Sequence, residues 1–102
     1  MLLIDISIAA QTDIDQIAGY TKSEWGWRQA DVYLAKLEDG FEFIAKNPLI
    51  GRSCDAIQIG LRRFEVERHV VFYIPSSDTV LIVRVLHERM LPLKRRFVRL
   101  AG

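Results

Sequence analysis

The sequence has a single cysteine, Cys54, among its 102 residues. A lone cysteine cannot form an intrachain disulfide, and it lacks the companion ligands that a zinc site requires. A reactive thiol also needs a neighbouring base or cation, so we interpret Cys54 as an inert thiol. The sequence therefore predicts no disulfide framework and no metal site, and we expect no cofactor.

Long hydrophobic runs are missing as well. No apolar stretch approaches the roughly 20 residues that a helix needs to cross a bilayer. The first six residues carry Asp5 and no basic residue, unlike the start of a secretory signal. We therefore expect a cytoplasmic protein with no membrane partner. Since half of the 102 residues are hydrophobic, we predict one domain over residues 1–102 with one modest core.

Familiar catalytic signatures are also missing. There is no glycine-rich phosphate loop, no cluster with metal-ligand spacing and no Gly-x-Ser-x-Gly elbow. The two histidines, His69 and His87, fall at the ends of predicted strands. At such positions a half-buried imidazole bonded to a backbone group is the simpler interpretation. The motifs by themselves thus indicate no reaction.

What the sequence does have is an uneven charge distribution beneath a net charge of +1. Residues 1–51 contain 4 Lys and Arg against 8 Asp and Glu, whereas residues 52–102 contain 10 against 5. The opposite halves can attract each other within one fold, or the basic half can present a face to an acidic partner. Both interpretations stay open at this point.

The first half of the chain predicts a strand followed by two helices. Residues 2–6 form a short apolar run, and Ser7 after it is suited to cap a helix. Apolar positions then recur at helical spacing over residues 8–22 and again over residues 30–44. The second helix should end before Asn47, because the proline that follows disfavours helical geometry there. The short joint between the helices predicts an antiparallel hairpin.

The second half predicts three strands after a loop over residues 47–60. The strands cover residues 61–67, 69–74 and 80–86, and the last is apolar on both faces, as is typical of a strand inside a sheet. Their short connections favour an antiparallel meander. The order β-αα-βββ describes an α+β fold, with the N-terminal strand and the α-helical hairpin packed on a curved antiparallel sheet. Residues 91–100 add a short basic tail with amphipathic helical spacing.

Five short motifs occur in order along most of the chain. They are Trp25-Gly26 with Gln29-Ala30 and Tyr33; Asn47-Pro48 with Gly51-Arg52 and Asp55; Gly60-Leu61-Arg62-Arg63-Phe64; His69-Val70-Val71-Phe72-Tyr73; and Val83-Arg84-Val85-Leu86-His87. In this order and spacing, over about residues 10–90, they resemble the ParE toxins of the RelE/ParE superfamily.

The resemblance implies a function and partners. ParE proteins are toxins of type II toxin-antitoxin systems, and a ParD-type antitoxin neutralises them by wrapping them with its disordered C-terminal segment. Several members poison DNA gyrase. The resemblance thus implies gyrase as target, a toxin-antitoxin heterotetramer or larger complex, and no direct DNA binding by the toxin alone.

Two alternatives share the fold, so the fold cannot decide between them. The RelE branch of the superfamily cleaves messenger RNA on the ribosome, and a non-toxic interaction module is the third possibility. RNA cleavage needs a base, an acid and cations around the phosphate, for which this chain offers Arg62, Arg84 and His87. No tyrosine follows Tyr73, so the usual C-terminal tyrosine of that branch is missing. Arg62 and Arg63 also point to opposite faces of a strand. We predict a toxin that binds its target, not an enzyme.

The residues predicted to bind antitoxin or target are mostly cations. They are Arg62, Arg63, Phe64, Arg84, His87, Lys94, Arg95 and Arg96. Arg84 lies in an otherwise apolar strand and needs a pair, for which Glu65, Asp55 and an antitoxin carboxylate are open alternatives. We interpret Trp25 and Trp27, at the joint between the helices, as core residues in preference to an interface anchor.

Overall fold

A computed structural model describes residues 1–90 of the chain. The elements are β1 (Leu3–Ile6), α1 (Ile8–Trp25), α2 (Trp27–Lys46), β2 (Arg52–Ser53), β3 (Arg62–Val66), β4 (His69–Pro75), β5 (Thr79–His87) and a 3-10 turn at Glu88–Met90. The predicted order β-αα-βββ is confirmed, with the two-residue strand β2 added in the loop. The predicted basic tail, with Lys94, Arg95 and Arg96, lies outside the described residues.

The five strands form one sheet in the order β1-β5-β4-β3-β2. Strands β3 to β5 make the antiparallel meander that was predicted, and β2 extends it as an antiparallel edge strand. Strand β1 pairs in parallel with β5, with Leu3 opposite Thr79 and Ile6 opposite Ile82. The sheet is therefore mixed at this one edge, and β5 lies inside it between β1 and β4, as its apolar character on both faces predicts.

Helix α1 begins where Ser7 caps it. The Ser7 Oγ accepts a hydrogen bond from the Ala10 N–H at 3.0 Å and donates one to the Val83 carbonyl at 2.8 Å. The first bond satisfies a backbone donor that the helix start leaves free. The second ties the helix start to the interior strand β5, so the cap also positions α1 over the sheet.

The helical hairpin turns at Gly26. Its φ of 90° lies in the region that favours glycine, and its N–H donates to the Lys22 carbonyl at 2.9 Å. Helix α1 runs three residues beyond the predicted end at Lys22, whereas α2 ends at Lys46, before Asn47, as predicted. Within residues 1–90, neither helix has the length and apolar character that a bilayer crossing requires.

Two apolar clusters lie on the two faces of the sheet. The cluster beneath the helices contains Ala10, Leu37, Phe41, Ile44, Val66, Val71, Tyr73, Val80, Ile82 and Val85. Because neighbouring strand residues alternate between faces, the second cluster lies on the other side, and it contains Cys54, Leu61, Val70, Phe72, Val83 and Leu86. Burial raises the pKa of the Cys54 thiol, in agreement with an inert cysteine.

The prediction that Trp25 and Trp27 belong to the core is wrong. Their exposed fractions are 72% and 60%. The reason is that the hairpin overhangs the sheet: Tyr33 contacts His69 at the start of β4, and the six residues back to Trp27 extend α2 by about 9 Å. The Arg28 guanidinium lies 5.3 Å from the centroid of the Trp27 ring, within range of a cation–π contact.

Candidate functional site

The candidate residues of β3 divide between the two faces of the sheet. Arg62 and Phe64 face the helices, and Arg63 faces the other way, as their register opposite Tyr73, Val71 and Phe72 requires. Phe64 stacks on Phe43 of α2, with ring centroids 5.6 Å apart. Phe64 therefore packs against the hairpin within the domain.

Arg62 anchors the loop before β2. Its Nη1 donates to the carbonyl oxygens of Gly51 at 2.7 Å and Leu49 at 3.3 Å. The Tyr73 hydroxyl holds the same loop, donating to the Pro48 carbonyl at 2.8 Å and accepting from the Gly51 N–H at 2.9 Å. These bonds make Arg62 a structural residue.

Arg84 is paired within the fold, and its partner is Asp13 of α1. The guanidinium donates from Nε to Oδ2 at 2.7 Å and from Nη2 to Oδ1 at 2.8 Å, and the Val85 N–H donates to Oδ2 at 3.0 Å. The register of β4 and β5 shifts at this point, so the carboxylate satisfies an N–H beside a bulge. The hydrogen bond that Arg84 donates to Asp13 raises the pKa of Arg84. Neither Glu65 nor Asp55, the two internal partners considered from the sequence, makes this pair.

His69 and His87 pair across β4 and β5, with ring centroids 5.2 Å apart and planes at 87°. The Tyr33 hydroxyl lies 2.5 Å from the His69 Nδ1 and accepts from the Arg68 N–H at 3.2 Å. The hydroxyl proton is thus directed at Nδ1, which accepts it as a neutral imidazole. Burial, with the neighbouring His87 second, lowers the pKa of His69 to about 4. The His87 Nδ1 accepts from the Arg89 N–H at 3.0 Å, the backbone partner that was predicted.

The residues of the ribonuclease alternative do not converge in the described part of the chain. Arg62 lies at one end of β3, whereas His87 pairs with His69, which lies opposite Val66 at the other end. Four residues of strand separate these positions by about 13 Å. The guanidinium groups of Arg62 and Arg84 both bond within the fold.

Arg63 has a different environment on the opposite face. Its Nη2 lies 3.6 Å from the Glu65 Oε1, and Arg52 Nη2 reaches the same oxygen at 2.7 Å. Its guanidinium lies 6.0 Å from the centroid of the Phe72 ring, and its Nε is buried without a hydrogen-bond partner. Arg63 thus has a buried donor without an acceptor, whereas Arg62 and Arg84 donate to carbonyl or carboxylate oxygens within the domain.

A groove that the sequence analysis missed lies between β1 and the helical hairpin. It encloses about 410 Å³ and is lined by Ile4, Ile6, Gln11, Ile14, Leu34, Leu37, Glu38, Phe41 and Glu42. Strand β1 is an edge of the sheet, and the exposed fractions of Leu3 and Ile6 are 70% and 40%. The signal was present in residues 2–6, where Leu2, Ile4 and Ile6 make one face of the strand wholly apolar.

No group of three or more His, Cys, Asp and Glu side chains within residues 1–90 is placed to hold a metal ion. What the described surface offers is therefore an apolar groove along a free strand edge, with an arginine pair on the opposite face of the sheet. Both are features that bind peptide segments, the first through main-chain pairing and apolar contact and the second through carboxylates.

Known proteins resemble this chain in sequence and in fold. A family model described as "ParE toxin of type II toxin-antitoxin system, parDE" matches residues 4–92. Toxin ParE1 of Mycobacterium tuberculosis is 41% identical over 86 residues, covering 83% of this chain and 88% of the relative. Toxin ParE of Escherichia coli is 35% identical over 98 residues and 95% of each chain. A chain of the structure described as the chromosomal ParDE TA system from P. aeruginosa superposes with a TM-score of 0.73 at 16% identity, over 85% of this chain and 96% of that one.

Proposed function

Because the chain belongs to the ParE toxin family of type II toxin-antitoxin systems, we propose that it arrests growth by binding DNA gyrase and that a ParD-like antitoxin neutralises it. It acts in the cytoplasm, and the toxin-antitoxin complex is a heterotetramer or larger. The toxin alone binds no DNA. Both partners are proteins, so the chain binds each of them through a protein–protein interface. It breaks no covalent bond of its target.

The groove beside β1 is the observation that carries the antitoxin part of this proposal. A free strand edge presents unpaired N–H and C=O groups, and a partner segment can pair with them. The adjoining apolar groove takes alternate side chains of such a segment, including those that meet Ile14 and Phe41. A disordered antitoxin tail that folds here buries apolar surface, which offsets the entropy cost of ordering it.

The absence of catalysis in the proposal is supported by two internal bonds. Arg62 is bound to loop carbonyls and Arg84 to Asp13, so part of the donor set of each guanidinium is used within the fold and not directed at a common phosphate position. His87 remains partly exposed but lies away from Arg62.

The target is tested with the purified toxin in a DNA supercoiling assay that uses gyrase from its own host. We expect inhibition that rises with toxin concentration, together with arrest of DNA replication on induced expression. Undisturbed supercoiling and replication would refute the gyrase target. New 5′ ends in messenger RNA on translating ribosomes would instead support the ribonuclease alternative.

The antitoxin surface is tested with a matched pair of isoleucines. Ile6 lines the groove, whereas Ile8, two residues later, is 89% exposed and lies outside it. We expect Ile6→Glu to remain toxic but to resist rescue by the antitoxin encoded beside it, and Ile8→Glu to be rescued like the wild type. The measurement is growth after induction with and without the antitoxin. Full rescue of Ile6→Glu would contradict the groove assignment.

A further inference from the structure

Three of the four arginines in the strands differ in what their guanidinium groups already bind. Arg62 donates to two loop carbonyls, and Arg84 is held by both oxygens of Asp13. Arg63 has one long contact to Glu65, at 3.6 Å, and a buried Nε with no partner. A buried donor that lacks an acceptor costs about 1–3 kcal/mol and is rare in folded proteins, so this group sets Arg63 apart from the other two.

Arg63 and Arg52 together carry two positive charges against the one carboxylate that contacts them both. Arg52 and Arg63 are register partners on β2 and β3, and both rely on the single carboxylate of Glu65. The Phe72 ring beneath the Arg63 guanidinium restricts how far it can move. Two guanidinium groups that share one carboxylate leave room for a second carboxylate, which the terminal Nη1 and Nη2 nitrogens of Arg63 can bind as a planar fork.

We propose that Arg63, assisted by Arg52, binds an Asp or Glu side chain of the neutralising antitoxin on the sheet face opposite the helices. This rests on the proposed function, and it separates Arg63 from Arg62 and Arg84, which bind within the domain. Strand β2 is only two residues long and is the other edge of the sheet, so a partner segment can approach Arg52 and Arg63 from the side. The antitoxin then contacts both edges of the sheet.

A carboxylate fits this position better than the phosphates of a nucleic acid. A cavity of about 190 Å³ beside Arg63 is lined by Arg63, Glu65, Glu67, Arg68, His69, Val70 and Glu88. Three glutamates therefore border the approach, and a chain of phosphates that passes along them is repelled. A single carboxylate between Arg52 and Arg63 gains the pairing without extending past those glutamates.

The test measures the Kd of the full-length neighbouring antitoxin by isothermal titration calorimetry. We expect Arg63→Gln to raise the Kd at least tenfold. Arg63→Lys should raise it almost as much, because lysine keeps the charge but has no fork. Arg28→Gln, which removes an exposed cation from α2, is the control and should stay within twofold of the wild type. Melting curves by circular dichroism verify that each variant is folded. An unchanged Kd for folded Arg63→Gln overturns the proposal.

A second readout compares the antitoxin with a short acidic peptide. In ¹⁵N spectra of the wild type, we expect the Nε–H resonance of Arg63 to shift on addition of the antitoxin and also of N-acetyl-tetraglutamate amide. If the peptide shifts this resonance but the antitoxin does not bind, Arg63 is supported as a carboxylate site and the antitoxin is refuted as its partner. If neither shifts it, the carboxylate site is refuted. A single-stranded RNA oligonucleotide that shifts the resonance and competes with the antitoxin also overturns the choice of carboxylate.

Discussion

The Asp13 carboxylate holds the Arg84 guanidinium by two hydrogen bonds of 2.7 and 2.8 Å and joins helix α1 to strand β5. The same carboxylate accepts the N–H of Val85, so one side chain supports both a buried cation and a bulge in the strand. Asp13 is 8% exposed, and removing it leaves these donors without their acceptor in a largely dry place.

We expect Asp13→Ala to lower the free energy of unfolding by about 2–4 kcal/mol, since it leaves Arg84 mostly buried and unpaired. Urea denaturation followed by circular dichroism measures the change. Asp15→Ala, on the exposed side of the same helix, is the control and should change the value by less than about 0.5 kcal/mol. In the double variant Asp13→Ala with Arg84→Met, much of the lost free energy of unfolding should be regained, because no charge is left unpaired. Equal stability of Asp13→Ala and wild type would contradict a stabilising role for the Asp13–Arg84 pair.

The same bond revises the prediction for Arg84 as a partner-binding residue. Arg84→Glu places a carboxylate against Asp13, so we expect it to weaken antitoxin binding by unfolding the domain. The measurement compares the antitoxin Kd with the folded fraction of the same sample. Weaker binding by a fully folded Arg84→Glu variant would restore a direct contact.

The lowered pKa of His69 makes the free energy of unfolding depend on pH. Its pKa is about 4 in the folded protein against 6.5 for an ordinary histidine, so between these values the unfolded chain binds the proton and the folded one does not. The neutral His69 therefore contributes fully above about pH 6.5, and the contribution disappears as the pH falls through 4. The loss is at most about 3 kcal/mol.

Urea titrations at several pH values between 4 and 7 test this dependence. His69→Gln, which keeps an acceptor for Tyr33, should flatten the dependence. His87→Gln should keep it but move its midpoint upward, because the charge of His87 helps to lower the pKa of His69 while Asp13 and Glu88 act in the other direction. A wild-type stability that does not change over this range would be inconsistent with a buried neutral His69.

Two glycines give opposite predictions for the same substitution. A β-carbon on Gly51 would lie 2.6 Å from the Tyr73 hydroxyl and 2.7 Å from the Arg63 carbonyl, and the second of these is backbone that cannot move aside. We expect Gly51→Ala to cost about 2 kcal/mol or more. A β-carbon on Gly19, inside α1, meets nothing within 4 Å, so Gly19→Ala should stabilise the protein by about 1 kcal/mol. Thermal melting distinguishes the two, and a neutral Gly51→Ala would refute the close approach.

The elements of the fold could be read from local patterns because each has a local cause. Ser7 caps α1 by accepting the N–H of Ala10, three residues later, and α2 ends ahead of a proline. The apolar run in β5 reflects cover on both faces of the strand. The parallel pairing of β1 with β5 has no such local cause. It depends on the packing of the helical hairpin and on strands that are distant in the sequence.

The site was harder to predict because its contacts connect distant parts of the chain. Asp13 and Arg84 are 71 residues apart, and only the packing of α1 on β5 brings them together. A clue was available, because Asp13 occupies the apolar stripe of α1 beside Ala10 and Ile14, where a carboxylate needs a partner. The groove along β1 could not be located without knowing that β1 is an edge.

The overhang of the helical hairpin determines what an optical experiment on this protein reports. Trp25 and Trp27 are the only two indoles in the sequence, and both are more than half exposed in the folded chain. Tryptophan emission of the native protein should therefore resemble that of an indole in water and change little on unfolding. The same emission becomes a probe of anything that covers the tip of the hairpin, so a blue shift on mixing with a tryptophan-free partner would locate that partner there.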